Sequence, residues 1–219
     1  SKPHVITQKD MGTRYAFVAV RTLVNPGDPK DLDAVHKLQD AIKLSQKNTG
    51  KLELPNWDES SLTQIRESLL ALAKHTAGFE RAFGRKSEVD PIHHLIGTAA
   101  GWGGNPDKDA SYVSFTPERN DGKTIYKLEV PRNVPVDAFW SVSLYNAEGY
   151  YEANPFNAYS LNSITAQKAA DGSVKVQFGG CVGKIPNCLP TMKGWNYMVR
   201  LYRPRAVILN GKWKFPAAT

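Results

Sequence analysis

The sequence predicts an α+β protein: a helical N-terminal half packed on an antiparallel β-structure, sandwich or barrel. Two observations carry this. Apolar residues recur at helical spacing through roughly the first hundred positions, and from Ala110 they switch to alternation, with turn residues between short runs. At 219 residues the chain is long enough to bury a full core. The expected division is a helical region over 1–108 and a β-domain over 109–219.

Residues 11–24, "MGTRYAFVAVRTLV", suit a helix or a buried strand by periodicity alone, and helix is the expectation taken here. Asp28 before Pro29, with Asp31 three positions on, supplies an N-cap, a proline at the first helical position and an acid in the first turn. Leu32, Val35, Leu38 and Ile42 then predict one buried helical face. Asp58 or Ser60 caps a second helix through Leu62, Ile65, Leu69, Leu72 and Ala73, whose end Gly78 and Gly84 blur. A short helix from about Pro91 to Ala100 follows, and "GWGGNP" is loop.

From there the runs are strands. "ASYVSFT" and "KTIYKLEV" flank "PERNDG", whose Asn-Asp-Gly end signals a hairpin. "DAFWSVSLY" places Trp140, Val142 and Leu144 on one face, and "NAEG" closes it with a turn. "DGSVKVQF" and "WNYMVRLY" complete the set. In the last of these Val199 and Leu201 alternate with Arg200 and Tyr202, so if the former face a core the latter lie outside it.

The two cysteines, Cys181 and Cys188, stand in "GGCVGKIPNCLP". Structural zinc wants four ligands, and no histidine follows His94; a redox couple wants C-x-x-C at a helix start. A loop of Gly, Pro and Asn suits a disulfide and an oxidising compartment, two free thiols in a reducing one being the alternative. No stretch approaches the roughly 20 apolar residues of a membrane helix. The chain opens at Ser1 without an apolar leader, which fits a signal peptide already removed or a chosen boundary. Net charge is +7, and no acidic residue follows Asp171, whereas Lys175, Lys184, Lys193, Arg200, Arg203, Arg205, Lys212 and Lys214 do. That C-terminal segment predicts a positive field. It lacks the dense basic runs and the RNP signature of nucleic-acid binders, so no nucleic acid is expected.

Several motifs fail on inspection. Gly122-Lys123-Thr124 ends like a phosphate loop, but Pro117 stands where its first glycine belongs, and a strand follows. "GTAAGWGG" has no leading strand, and no G-x-S-x-G elbow is present. Glu88, Asp90, His93 and His94 bring acids and imidazoles together, the material of a metal or acid–base site. Adjacent helical residues diverge by about 100°, however, so His93 and His94 do not share one ion, and Asp90 reads as the cap of the helix at Pro91. No metal or cofactor is expected. The aromatic loop "YNAEGYYEANPFNAYSLN" is the second candidate; a site of Tyr150, Tyr151, Arg200 and Arg203 would suit an anionic or sugar-like small molecule.

Taken together, "VPVDAFWSVSLYNAEGYYEANPFNAYSLNS", "DGSVKVQF", "PNCLP" and "WNYMVRLYRPRAVILNGKWKFP" resemble the bacterial domain of unknown function 1214, often found with domain of unknown function 1254. The likeness runs from about Ala110 to Pro216. The N-terminal "RTLVNP" and "IGTAAGWGGNP" resemble the stretch leading into that domain. The resemblance implies a jelly-roll-like sandwich and a periplasmic or secreted location, and supplies no catalytic residues. Many members carry tryptophan where this chain has Cys188, which implies that the cysteine pair belongs to a subgroup. Two classes of function stay open: a ligand-binding or assembly module, potentially a homo-oligomer, and a hydrolytic or metal-dependent enzyme centred on Asp90, His93 and His94 or on the Tyr/Glu/Arg surface.

Overall fold

The computed structural model of the chain describes residues 3–25, 28–76, 79–101, 103–183 and 185–219. It divides into two units, residues 1–56 and 57–219. In the first, α1 (Gln8–Met11) starts at Thr7, whose hydroxyl accepts the Asp10 N–H, and stops at Gly12, which sits at φ +67°. Residues 13–25 are not helical, contrary to expectation. Gly12 breaks the helix, and the alternating β-branched Val18, Val20, Thr22 and Val24 favour extended backbone. Around them Arg14 pairs with Glu53 at 2.9 Å, and the Tyr15 hydroxyl accepts the Glu53 N–H at 2.9 Å.

Helix α2 (Pro29–Asp40) begins as its sequence predicts, with the Asp28 carboxylate accepting the Lys30 N–H and Pro29 opening the first turn. Its apolar face is not buried as a whole. Val35 is the single buried hydrophobic among the described residues of this unit; Leu32 is half-buried, while Leu38 is 60% and Ile42 52% exposed. One buried side chain is a small fraction of what a self-sufficient core requires.

The second unit opens with α3 (Glu59–Ala73), capped by Asp58 through the Ser61 N–H, and α4 (Pro91–Ala100), which packs against it. Leu62, Ile65 and Leu72 of α3 are exposed. Two sheets follow. One has the order β1-β7-β3-β4, with β1 Ala110–Phe115, β3 Trp140–Tyr145, β4 Ser160–Asn162 and β7 Asn196–Tyr202, every neighbour antiparallel. The other has the order β2-β5-β6, with β2 Tyr126–Val130, β5 Val174–Phe178 and β6 Cys188–Leu189. A short α5 (Ala206–Leu209) comes after β7.

Two expectations about pairing are corrected. The strands β1 and β2 are not a hairpin but lie in different sheets, β1 pairing with β7 and β2 with β5. The Asn-Asp-Gly signal does make a tight turn: Asp121 Oδ1 accepts the Lys123 and Thr124 N–H groups at 2.8 Å each, and Gly122 sits at φ +76°. A side chain at Gly122 would come within 2.7 Å of the Met192 backbone, so the turn docks against the segment before β7 instead of closing a ladder. Secondly, β5 and β6 run parallel, with Gln177 opposite Cys188 and Phe178 opposite Leu189.

Both sheets feed one apolar cluster. Trp140, Val142 and Leu144 share its side of β3, as alternation predicts; Tyr197, Val199 and Leu201 do so from β7; Val174, Val176 and Phe178 meet them from β5. Each fully buried side chain of this size contributes about 2 kcal/mol of transfer free energy, so the β-region holds most of the stabilising burial. Among the described residues no helix is long and apolar enough to cross a membrane.

Candidate functional site

The seven residues of β7 alternate strictly, with Tyr197, Val199 and Leu201 buried and Asn196, Met198, Arg200 and Tyr202 half-buried on the opposite face. Because β3 lies beside β7 in the register Ser141↔Arg200, Ser143↔Met198 and Tyr145↔Asn196, the non-core face of the sheet collects Ser141, Ser143 and Tyr145 around Arg200. Tyr112 of β1 flanks Arg200 from the other side. Thus a guanidinium is planted mid-sheet among hydroxyls.

Arg200 donates from Nη1 to Ser143 Oγ at 3.0 Å and from Nη2 to the Tyr145 hydroxyl at 2.7 Å, and its guanidinium lies 5.9 Å from the Tyr145 ring centroid. Ser143 is 3% exposed. The Tyr145 ring stacks on Tyr151 at 5.2 Å with the planes 5° apart, and Tyr151 in turn leans on Tyr159 at 5.5 Å. Burial of Arg200 works against its charge, but the Tyr145 hydrogen bond and the surrounding phenols outweigh it, and the group stays above its ordinary pKa. Burial also raises the Tyr151 phenol, with the Ser143 hydroxyl pulling the other way. Among the described residues, the ion pairs are Arg14 with Glu53 and Arg205 with Asp137; no carboxylate faces Arg200.

Of the four residues expected to line a ligand site, the fold brings Tyr151 and Arg200 together through Tyr145. Tyr150 is 71% exposed, its backbone N–H held by the Asn146 side chain. Arg203 is exposed and sits at φ +53°, its N–H donated to the Asp109 carbonyl. Tyr145 and Tyr159 belong to the aromatic loop expected to form a site, whereas Ser143 was not anticipated. The signal for Ser143 and Tyr145 lies in β3, where they occupy the phase opposite to Trp140, Val142 and Leu144.

Residues 111–206 match a family model described as Protein of unknown function (DUF1214). Over these residues the chain is similar to DUF1214. The DUF1214 segment contains Arg200, Ser143, Tyr145, Tyr151 and both cysteines, whereas Asp90, His93 and His94 lie before it. No curated protein matches the chain. Among solved structures, the VPA0106 protein from Vibrio parahaemolyticus is similar at 18% identity and a TM-score of 0.56, over 97% of this chain and 60% of that one. An uncharacterised protein from Burkholderia cenocepacia is similar at 17% identity and a TM-score of 0.36, over 77% of this chain and 43% of that one. The chain therefore spans about three fifths of the Vibrio structure, and the likeness is one of fold.

Outside the DUF1214 segment, the Asp90 carboxylate caps α4, accepting the Ile92 and His93 N–H groups at 2.9 and 3.0 Å. His93 Nδ1 lies 2.7 Å from the Glu80 carbonyl and His94 Nδ1 2.7 Å from the Ala82 carbonyl. A carbonyl only accepts, so in both rings Nδ1 carries the proton. The pair clips residues 80–82 to α4 rather than converging on one point. Among the described residues no three His, Cys, Asp or Glu side chains are grouped to hold a metal. Within DUF1214, Cys181 and Cys188 form a disulfide with Cα atoms 5.7 Å apart. Of the C-terminal cations, Lys184 lies outside the described residues.

Proposed function

We propose that this protein is an exported ligand-binding module, built on a jelly-roll-like sandwich, that takes a small anionic or acidic-sugar ligand on the outer face of its four-stranded sheet. The observation that carries the reading is Arg200. A half-buried guanidinium whose polar partners are the neutral Ser143 and Tyr145 has been partly desolvated without a counter-ion, an arrangement that a carboxylate or phosphate completes. The stacked Tyr145 and Tyr151 offer flat, rigid area beside it, as sugar and small-molecule sites do. The export half of the reading is supported by the disulfide, which persists in oxidising compartments.

The test is a titration with glucuronate, with inorganic sulfate as the simplest anion, on the wild-type protein and on Arg200→Gln. Charge-assisted hydrogen bonds contribute about 1.5–3 kcal/mol, so saturable glucuronate binding should weaken tenfold or more in the variant while its melting temperature stays close to wild type. Equal binding by both proteins, or no saturable binding of either anion, sinks the proposal.

A further inference from the structure

A second feature lies away from Arg200. Between the two sheets, at the end where β1 leaves the core, the molecule has a cavity of about 330 Å³ lined by Phe115, Tyr126 and Tyr197, with Thr116, Pro117, Glu118, Ala217 and Ala218 completing its wall. A dry cavity of roughly 150 Å³ accommodates benzene, so this one has room for a fused bicyclic molecule. Its aromatic lining is rigid. Phe115 stacks on Tyr197 at 4.8 Å, Tyr197 stacks on Phe178 at 4.8 Å, and Tyr126 stands edge-on to the fully buried Trp195 at 5.7 Å.

Besides Thr116 and Glu118, the lining carries two phenols whose oxygens are already fixed. Tyr126 OH accepts the Arg119 N–H at 3.0 Å, and Tyr197 OH accepts the Ala218 N–H at 2.9 Å. Among the described residues neither phenol donates its own proton to an acceptor. Burial raises the Tyr197 phenol, against the lowering effect of the Ala218 N–H, so it remains a donor at neutral pH. A phenol donor at the half-buried Tyr126 in an aromatic-lined cavity matches a flat, neutral ligand carrying a carbonyl or ether oxygen, and the exposed Glu118 in the lining disfavours an anion.

We infer that this inter-sheet cavity is a second binding site, for a neutral planar aromatic molecule with a hydrogen-bond acceptor, held against the wall that Phe115, Tyr126 and Tyr197 form. It is separate from the Arg200 face and takes a different chemical class. The experiment uses coumarin and acetophenone as probes, followed by calorimetry and ligand-observed NMR on the whole chain. Wild type should bind coumarin saturably at one site. Tyr126→Phe should weaken it about fivefold, the value of one neutral hydrogen bond. Thr116→Trp, at an exposed rim position, should abolish binding, with the exposed Ala217→Phe as the blocking variant if Thr116→Trp does not fold. Arg200→Gln should leave coumarin binding unchanged, which separates this site from the anion site. Absence of saturable binding by both probes, or unaltered binding in a folded rim-blocked variant, overturns the inference.

Discussion

At the scale of single residues, three aspartates do the same work in different places. Asp90 caps α4, Asp121 braces the turn at Gly122, and Asp171 accepts both the N–H and the hydroxyl of Ser173. Hydrogen bonds from the His93 N–H to Asp90, from the Thr124 N–H to Asp121 and from the Ser173 N–H to Asp171 are the main reason each carboxyl titrates below its ordinary value of 3.8. The unfolded chain therefore binds more protons than the folded one in acid, and stability rises with pH there. The contribution is complete above about pH 4 and is lost as pH falls through the lowered folded values. Melting curves between pH 2 and 6 should show this acid limb flattening in the triple variant Asp90→Asn, Asp121→Asn, Asp171→Asn, since Asn keeps the caps but does not titrate. An unchanged slope would show that these carboxylates are not what acid attacks. The capping role of Asp90 was legible from Asp-Pro alone. What sequence did not reveal is that His93 and His94 reach loop carbonyls two residues apart, because their partners, Glu80 and Ala82, are set by how residues 79–90 fold back on α4.

Among elements, the disulfide loop and the two sheets show what patterning determines and what it leaves open. Closing a loop of about eight residues removes unfolded-state entropy equivalent to roughly 2.5 kcal/mol. Cys181→Ser with Cys188→Ser should lower stability by up to that amount, read as a shift in the urea midpoint at unchanged slope, and the native protein should weigh two mass units less than its reduced formula. Full reduced mass in protein from an oxidising compartment would count against the bridge. The longer strands were readable, since β1, β2, β3, β5 and β7 all fall within predicted runs, whereas the short β4 and β6 were not predicted. Strand pairing was not. A turn signal such as Asn120-Asp121-Gly122 specifies a local reversal, whereas the choice of β7 rather than β2 as the neighbour of β1 is decided by which apolar faces meet across the whole core. The same holds for the site: Arg200 was visible as off-core, but Ser143 and Tyr145 become its partners only through the β3–β7 register. The segment 11–24 misled because its apolar residues satisfy both periods, and Gly12 with the β-branched run tipped it away from helix.

Over the whole molecule, burial is uneven. Residues 3–56 contribute Val35 alone to the buried apolar set among the described residues, while the β-region supplies the cluster around Trp140, Phe178 and Trp195. Proteolysis of a native protein proceeds through local opening, which is easiest where few apolar contacts resist it. Trypsin at low ratio should therefore cut first at Lys or Arg positions before residue 57, leaving a persistent disulfide-linked fragment that contains residues 110–219. First cuts within that span, identified by mass, would contradict the uneven burial.

One strand serves both the core and the outer face of the sheet. In β7 the odd-numbered positions 197, 199 and 201 are sealed in the core and the even-numbered Met198, Arg200 and Tyr202 face away from it. Changing alternate letters of this single short word therefore rewrites the outer face of the sheet, while the letters between them keep the fold intact. Drift of a surface and retention of architecture are separable within a stretch of chain only seven residues long.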